Sequence, residues 1–462
     1  MMARGEIGRW ISGLIPVDTL VGEAYRKWRP LVEESFQFLF SHLSEARLAR
    51  KVQEQMGLPA GTPPEARLLQ LITKMPGLQK LGQVLARNRR LSPALRQALT
   101  ELENGMSDVT FDEVRTIIEE QLGGLLPEYG VELVPSIFKE GSASAVVKFT
   151  WKRGRGVFKV LKPYVPECFA EDIGLLQELG ESLRVSDVRE LLTEVGQLLA
   201  HELDFPQEQE TLEAAKRMYR SSFGIRVPDV IRPLCTDKIT AMSEESGLKV
   251  TDAFPRSPIR RSRIPDQLIE ALIAVPLFCR EDVAVFHADP HAGNLMYDET
   301  SRELAVIDWA LAERLSLESR RQLVLLVAMM ILRNEAGVRD AMHALSNRPG
   351  RGVIEAHVSR FFEHLAPGDS PGALDAMRLL DETALAGVHF PSALFFFRKS
   401  IFTLDGVLQD VAGSQVRIDY VILREFLTRC LGSFGMFHAP LQWRDFAEME
   451  WNALLMPARL VW

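Results

Sequence analysis

At 462 residues, 47% of them apolar and 25% charged, the chain is too long for one small core and is expected to divide into two or three packed regions. Its net charge of −8 excludes nucleic acid as the main partner, because holding a phosphate backbone demands a basic face. Four cysteines (Cys168, Cys235, Cys279 and Cys430) without a CxxC pair exclude a zinc ribbon or a redox motif and read as free thiols in a reducing compartment.

No signal peptide and no transmembrane helix are expected. The opening MMARGEIGRWISGLIPVDTL lacks a sustained apolar core and a small-residue cleavage site. The apolar runs Leu323–Leu332 and Leu394–Phe397 are too short to cross a bilayer. The chain therefore reads as cytoplasmic, at most peripheral to the inner membrane. Basic clusters at Arg87–Arg90 and Arg256–Arg263 read as solvated surface runs.

From the start to Gln121 the pattern is helical. Thr62-Pro-Pro-Glu65 has the form of a capping box with proline in the first turn, which predicts a helix start. Pro76 then interrupts, and a second helix is expected from Gly77 to about Asn88. TFDEVRTIIEEQ, residues 110–121, is amphipathic, with Phe111, Val114 and Ile118 on one face. Near Val131 the character changes to the short β-branched or aromatic runs VELVPSIF, AVVKFTW and GVFKVLKP, which predict antiparallel sheet. Helices are expected over Asp187–Leu203 and Pro206–Arg220, and two further strands at RVPDVIRP and DKITAM. From Ile264 onward helices dominate, broken by a loop-rich insert at His287–Asp308. No repeat or low-complexity tract is present. The organisation is two-lobed and α+β.

The most informative segment is Phe286-His-Ala-Asp-Pro-His-Ala-Gly-Asn294. Asp289 followed five residues later by Asn294 has the spacing of a kinase catalytic loop, in which the aspartate positions the nucleophile and the asparagine oxygen holds Mg²⁺. Fourteen residues beyond, the apolar run LAVI delivers Asp308, a hard oxygen ligand suited to the same cation. A set made of His287, His291 and Asp289 is the other metal reading; no helix displays them at zincin spacing, and His287 is better suited to brace the loop.

Phosphate handling also needs a cation. Lys159 lies inside the apolar strand GVFKVL, where an ammonium is costly unless paired. Glu208, in the first turn of the helix that Pro206 opens, is a carboxylate able to pair with it. Gly141, Ser142, Ala143, Ser144 and Ala145 fall between two predicted strands, and their small side chains admit phosphate to backbone amides.

Together these segments resemble the UbiB/AarF family of atypical protein-kinase-like proteins. Lys80-Leu-Gly82-Gln83 looks like that family's KxGQ signature, Glu202-Leu-Asp204 is similar to its ExD element, and Met242–Asp252, with Gly247 and Lys249, resembles the hinge that frames adenine. HADPHAGN differs from the usual HADPHPGN only at Ala292, and Phe397–Val411 resembles the segment closing the helical lobe. Trp309-Ala310 stands where the family usually has Phe-Gly, and GSASA has fewer alanines than is usual. The resemblance implies a protein-kinase-like fold with a small antiparallel N-lobe sheet, a helical C-lobe and an N-terminal helical extension. The expected division is 1–130 for the extension, 131–250 for the N-lobe and 251–462 for the C-lobe with its C-terminal helices. It also implies ATP and Mg²⁺ as cofactors, Lys80 near Glu202 and Asp204, a small or lipid-like acceptor such as an isoprenoid-quinone precursor, and a kinase or ATPase supporting ubiquinone biosynthesis. Two alternatives remain: a small-molecule phosphotransferase of the aminoglycoside or choline kinase type, which Trp309-Ala310 suits, and a nucleotide-gated lipid-binding scaffold.

Overall fold

The computed structural model describes residues 4–14, 17, 26–27, 29–86, 108–183, 186–253, 258–347, 351–366, 368–412, 418–419, 424 and 440–461. Arg87–Arg90, Arg256 and Cys430 lie outside them. Two compact units form, one from Met1–Gln207 with Val230–Glu244, the other from Glu208–Asp229 with Glu245–Trp462.

The first unit opens with helices α1 (Arg4–Gly13), α2 (Arg29–His42), α3 (Glu45–Met56), α4 (Pro64–Ile72) and α5 (Pro76–Ala86). The capping box expected at Thr62–Glu65 does not form. Two consecutive prolines move the N-cap to Pro63 and place Pro64 at the first helical position, so Thr62 sits one residue too early and its hydroxyl donates to the Pro59 carbonyl instead (2.7 Å). Pro76 likewise opens α5 instead of merely interrupting the pattern, as proline does where an N–H would be unused. The free amide of Gly77 in that first turn donates to the Asp172 carboxylate (2.7 Å), which Arg47 also holds (2.7 Å).

Next come α6 (Phe111–Leu122) and α7 (Leu125–Tyr129), strands β1 (Glu132–Glu140), β2 (Ser144–Trp151) and β3 (Gly154–Leu161), and helices α8 (Val165–Ser182) and α9 (Ser186–Leu203). A true capping box starts α6, where Thr110 and Glu113 satisfy one another's backbone amides. Helix α8 was not expected, although Val165, Cys168, Leu175, Leu176 and Leu179 form its buried stripe. Helix α10 (Phe205–Tyr219) begins at the end of this unit. Strand β4 (Ile225–Arg226) belongs to the second unit, and β5 (Ile239–Ser243) returns to the first.

The sheet order is β1-β2-β3-β5, antiparallel throughout, so β3 is an interior strand. RVPDVIRP does not form the strand expected of it. Pro228 and Pro233 cannot donate to a ladder, leaving the two residues of β4, an isolated bridge from Val230 to Met242 and a 3-10 turn at Arg232–Leu234. One apolar core joins α6 to the sheet through Val114, Ile118, Val147, Phe149, Phe158 and Val160. A second joins the leader helices to α8 and α9 through Phe40, Leu71, Leu78, Leu176 and Val195.

In the second unit, β6 (Leu248–Lys249) is followed by α11 (Pro258–Ile269), a π-helical segment (Glu270–Ala274) and α12 (Val275–Phe278). Strands β7 (Val283–His287), β8 (Leu295–Asp298), β9 (Glu303–Val306) and β10 (Ala312–Ser316) follow, and of these β8 and β9 lie inside the segment His287–Asp308 expected to be loop-rich. They make a β10-β7 ribbon and a small β4-β9-β8-β6 sheet. Helices α13 (Leu317–Ile331), α14 (Glu335–Leu345), α15 (Arg351–Glu363), α16 (Ala373–Leu385), α17 (Ser392–Ala412) and α18 (Trp443–Val461) complete it. Arg321 of α13 forks onto Asp445 of α18 (2.8 and 2.7 Å). Among the described residues, no helix is long and apolar enough to cross a membrane.

Candidate functional site

In the second unit, the ribbon and the β8–β9 hairpin carry the polar loop. Ala312 pairs with His287, and Leu295 with Val306, so residues 288–294 and 307–311 leave their strands side by side. Main-chain bonds tie the two segments: Ile307 N–H donates to the Asn294 carbonyl (2.9 Å) and Ala288 N–H to the Leu311 carbonyl (3.0 Å).

His287 is buried, and both of its ring nitrogens are used. Nδ1 accepts from the Asp289 amide (3.2 Å), which leaves the proton on Nε2, facing the Ile307 carbonyl (3.1 Å). Burial pushes this imidazole below its ordinary pKa, so the neutral tautomer suits both bonds. The Ser400 hydroxyl of α17 donates to the His287 carbonyl (2.9 Å). His287 thus braces the loop and has no lone pair left for a metal. His291 accepts the Gly293 amide at Nδ1 (3.1 Å). Among the described residues, no group of three His, Cys, Asp or Glu is placed to hold a metal.

Asn294 is oriented by its own loop. Its Nδ2 donates to the Asp289 carbonyl (3.2 Å), which fixes the amide's sense and turns Oδ1 away. That oxygen is buried and has no hydrogen-bond partner among the described residues. A buried orphan acceptor is costly, and a hard cation is a fitting counterpart. Asp308 follows β9 in the left-handed region (φ 59°), which Asp tolerates better than most residues. Asn294 and Asp308 therefore fit a magnesium ion: one amide oxygen and one carboxylate at the same end of one hairpin. Asp289 is buried at 8% exposure.

In the first unit, Lys159 sits in β3 between Val146 of β2 and Thr240 of β5. It is 8% exposed, and its Nζ lies 5.9 Å from the Phe205 ring centroid. It does not face an open sheet edge. Met242 is buried in β5 opposite Val157. Of residues Gly141–Ala145, only Gly141–Ala143 form the turn, because Ser144 and Ala145 already belong to β2; Ser142, Ala143 and Ala145 are buried, and the Lys162 amide donates to the Ala143 carbonyl (3.0 Å). Ser142 donates its hydroxyl to Glu202 (2.7 Å), and the same carboxylate pairs with Lys80. The leader helix, the turn and α9 thus meet at one acid. Asp204 does not join them; it accepts the Gln207 amide at the start of α10 (2.9 Å). Gly82 is buried. The Gln83 side chain and Arg87 lie outside the described residues.

Glu208 is buried in the first turn of α10 and belongs to the second unit. Between β5 and β6, Gly247 has φ 131°, and a Cβ there would meet the Tyr297 carbonyl at 2.8 Å. Only glycine fits.

Sequence reasoning missed one cluster. Lys162 pairs with Asp108 (2.6 Å) and Glu140 (3.1 Å), and the Tyr164 hydroxyl donates to Asp108 (2.8 Å). Burial pushes the Tyr164 hydroxyl far above its ordinary pKa, so it remains a donor.

The model of the ABC1 atypical kinase-like domain matches residues 101–342, which include Lys159, Glu202, Glu208, Asp289, Asn294 and Asp308. An uncharacterized protein of Synechocystis sp. is 22% identical over 73% of this chain and 60% of its own length. The chloroplastic protein Activity of bc1 complex kinase 7 of Arabidopsis thaliana is 23% identical over 72% of this chain and 50% of its own. The probable protein kinase UbiB of Marinobacter nauticus is 25% identical over 48% and 42%. The match thus spans 60% or less of each of these relatives. The fold is kinase-like, with a small antiparallel sheet and a helical extension.

Proposed function

The chain belongs to the ABC1 atypical kinase-like family, and from that premise we propose that it is an ATP- and Mg²⁺-dependent kinase or ATPase of the UbiB/AarF type, acting in isoprenoid-quinone or related lipid metabolism. The observation that carries this reading is Asn294: its amide nitrogen is committed to the Asp289 carbonyl and its buried oxygen has no hydrogen-bond partner among the described residues. Bound Mg²⁺ would supply charge neutralisation at the phosphoryl oxygens. Asp289 positions an acceptor hydroxyl or a water. Lys159 orients the phosphates, residues Gly141–Ala145 cover them, and Met242 borders the adenine. Residues 1–130 act as the extension, 131–250 as the nucleotide lobe and 251–462 as the catalytic lobe.

The leader argues for a small or lipid-like acceptor met at a membrane surface. Lys80 and Ser142 converge on Glu202, so α5 occupies the neighbourhood of the glycine turn where a bulky protein substrate would need room. ATP hydrolysis by the purified protein, with Mg²⁺ and with or without lipid vesicles, tests the reading. Asp289→Asn should lower turnover by on the order of 100-fold; a variant as fast as wild type overturns it. Trp309-Ala310 favours a second reading, a small-molecule phosphotransferase, under which soluble alcohols or aminoglycosides stimulate ATP turnover.

A further inference from the structure

Asp308 holds a backbone conformation (φ 59°) that a residue with a side chain keeps only when its surroundings over-determine it. Those surroundings are visible on both sides. Before it, the Ile307 amide is fixed by the Asn294 carbonyl (2.9 Å). After it, the fully buried Trp309 turns its indole back and donates Nε1–H to the Val306 carbonyl (3.0 Å). The indole thereby closes a hydrogen-bonded ring through residues 306–309 of which the Asp308 backbone is a member. A phenylalanine would fill much of the same volume and leave that ring open.

The indole is itself held from both edges. His287 meets it at 5.2 Å and 65°, Tyr219 at 5.9 Å and 62°, both edge-to-face arrangements that aromatic pairs favour. The Tyr219 hydroxyl is anchored on the Ala271 carbonyl. That carbonyl lies in the π-helical segment, where its partner five residues on is Pro276, which has no N–H. One stack therefore runs from a proline-broken helix through Tyr219 and Trp309 to His287, and His287 holds the Asp289 amide and the Ile307 carbonyl.

We propose that Trp309 is a positioning residue that locks the Asp308 backbone, and through His287 the Asp289 loop, into one arrangement, so that this chain's metal loop does not exchange between two positions. The inference rests on the reading of Asn294 and Asp308 as a magnesium pair, and two separate readouts keep the failures of the two ideas apart.

The experiment compares wild type, Trp309→Phe and Arg321→Lys, the last loosening the same unit at the α13–α18 fork, outside residues 306–311. Amide hydrogen exchange is followed over residues 306–311, and ATP turnover is titrated with Mg²⁺. Trp309→Phe should speed exchange over 306–311 and raise the half-saturating Mg²⁺ concentration roughly tenfold, the usual scale for a group that orients a metal ligand, with KM for ATP at saturating Mg²⁺ unchanged. Arg321→Lys should do neither. The proposal is overturned if Trp309→Phe matches wild type in exchange, if exchange quickens while the Mg²⁺ requirement stays put, or if Arg321→Lys produces the same two changes. A wild type that neither hydrolyses nor transfers phosphate from ATP sinks the functional reading alone; the exchange comparison then decides whether Trp309 locks the loop. Should Trp309→Phe not fold, Trp309→Met, which adapts to irregular gaps and lacks the N–H, makes the same comparison.

Discussion

Lys162 and Asp108 form an ion pair of 2.6 Å whose side chains are 0% and 1% exposed, 54 residues apart in sequence. Glu140, at the end of β1, shares the ammonium (3.1 Å). One cation therefore bridges two carboxylates in a place almost closed to water. Replacing Lys162 by Met should leave those two carboxylates facing each other unshielded, at a cost of about 3–5 kcal/mol, the usual penalty for breaking a buried pair from one side. Urea denaturation followed by circular dichroism reads the loss. Neutralising all three groups together (Lys162→Met, Asp108→Asn, Glu140→Gln) should recover much of it. If the single variant is as stable as wild type, the cluster is not the anchor it looks to be.

A second test concerns the leader. Lys80 and Glu202 pair with side chains 11% and 23% exposed, and Ser142 adds a hydrogen bond to the same acid. Lys80→Met, Glu202→Gln and the double variant should give a coupling energy of about 1–2 kcal/mol in a double-mutant cycle, within the range for directly bonded groups. Strict additivity would mean that the leader helix gains nothing from this contact.

These two clusters show where the chain speaks plainly and where it does not. The three strands around Lys159, the Asp289–Asn294 spacing and the Lys80–Glu202 encounter were all legible, because each rests on local periodicity or on a motif whose members have fixed jobs. Lys162 was not, since a lysine closing the apolar run of β3 reads as a solvated strand end until Asp108 and Glu140 are brought to it. Helix α8 carried a usable stripe, but buried Asp172 interrupts it, and only the Arg47 guanidinium and the Gly77 amide explain an acid there. RVPDVIRP had strand-like residues, yet its prolines outweighed them. The Trp309 indole bond to Val306 depends on the left-handed turn at Asp308, which no spacing rule announces.

Asp445 should contribute to the acid limb of the second unit's stability. Burial works to raise its carboxyl, but hydrogen bonds from Arg321 and from the Gln442 amide outweigh burial and hold it below the ordinary carboxylate pKa. A group depressed in the folded state binds fewer protons than it does unfolded, so its stabilisation is complete above the unfolded value near 4. It is lost as pH falls from there through the folded value. Asp445→Asn should therefore flatten the acid limb of stability below about pH 4 relative to wild type, while the two proteins run parallel above it. Urea midpoints across pH 3 to 7 make the comparison, and parallel curves over the whole range would contradict it.

The proposed magnesium pair, Asn294 and Asp308, yields the sharpest expectation. Asn tolerates the left-handed region as well as Asp does, so Asp308→Asn removes a charge without straining the turn. Unfolding midpoints in the absence of Mg²⁺ should stay near wild type, whereas turnover at fixed Mg²⁺ should fall by on the order of 100-fold, the scale of losing one group that stabilises developing charge. Asn294→Ala should act through two routes, because it deletes the buried Oδ1 and also frees the Asp289 carbonyl from Nδ2. Residues that serve one cation fail together, so the double variant should be scarcely slower than Asp308→Asn alone. Losses that multiply instead would show that Asn294 and Asp308 act on separate steps, and the shared cation would have to be abandoned.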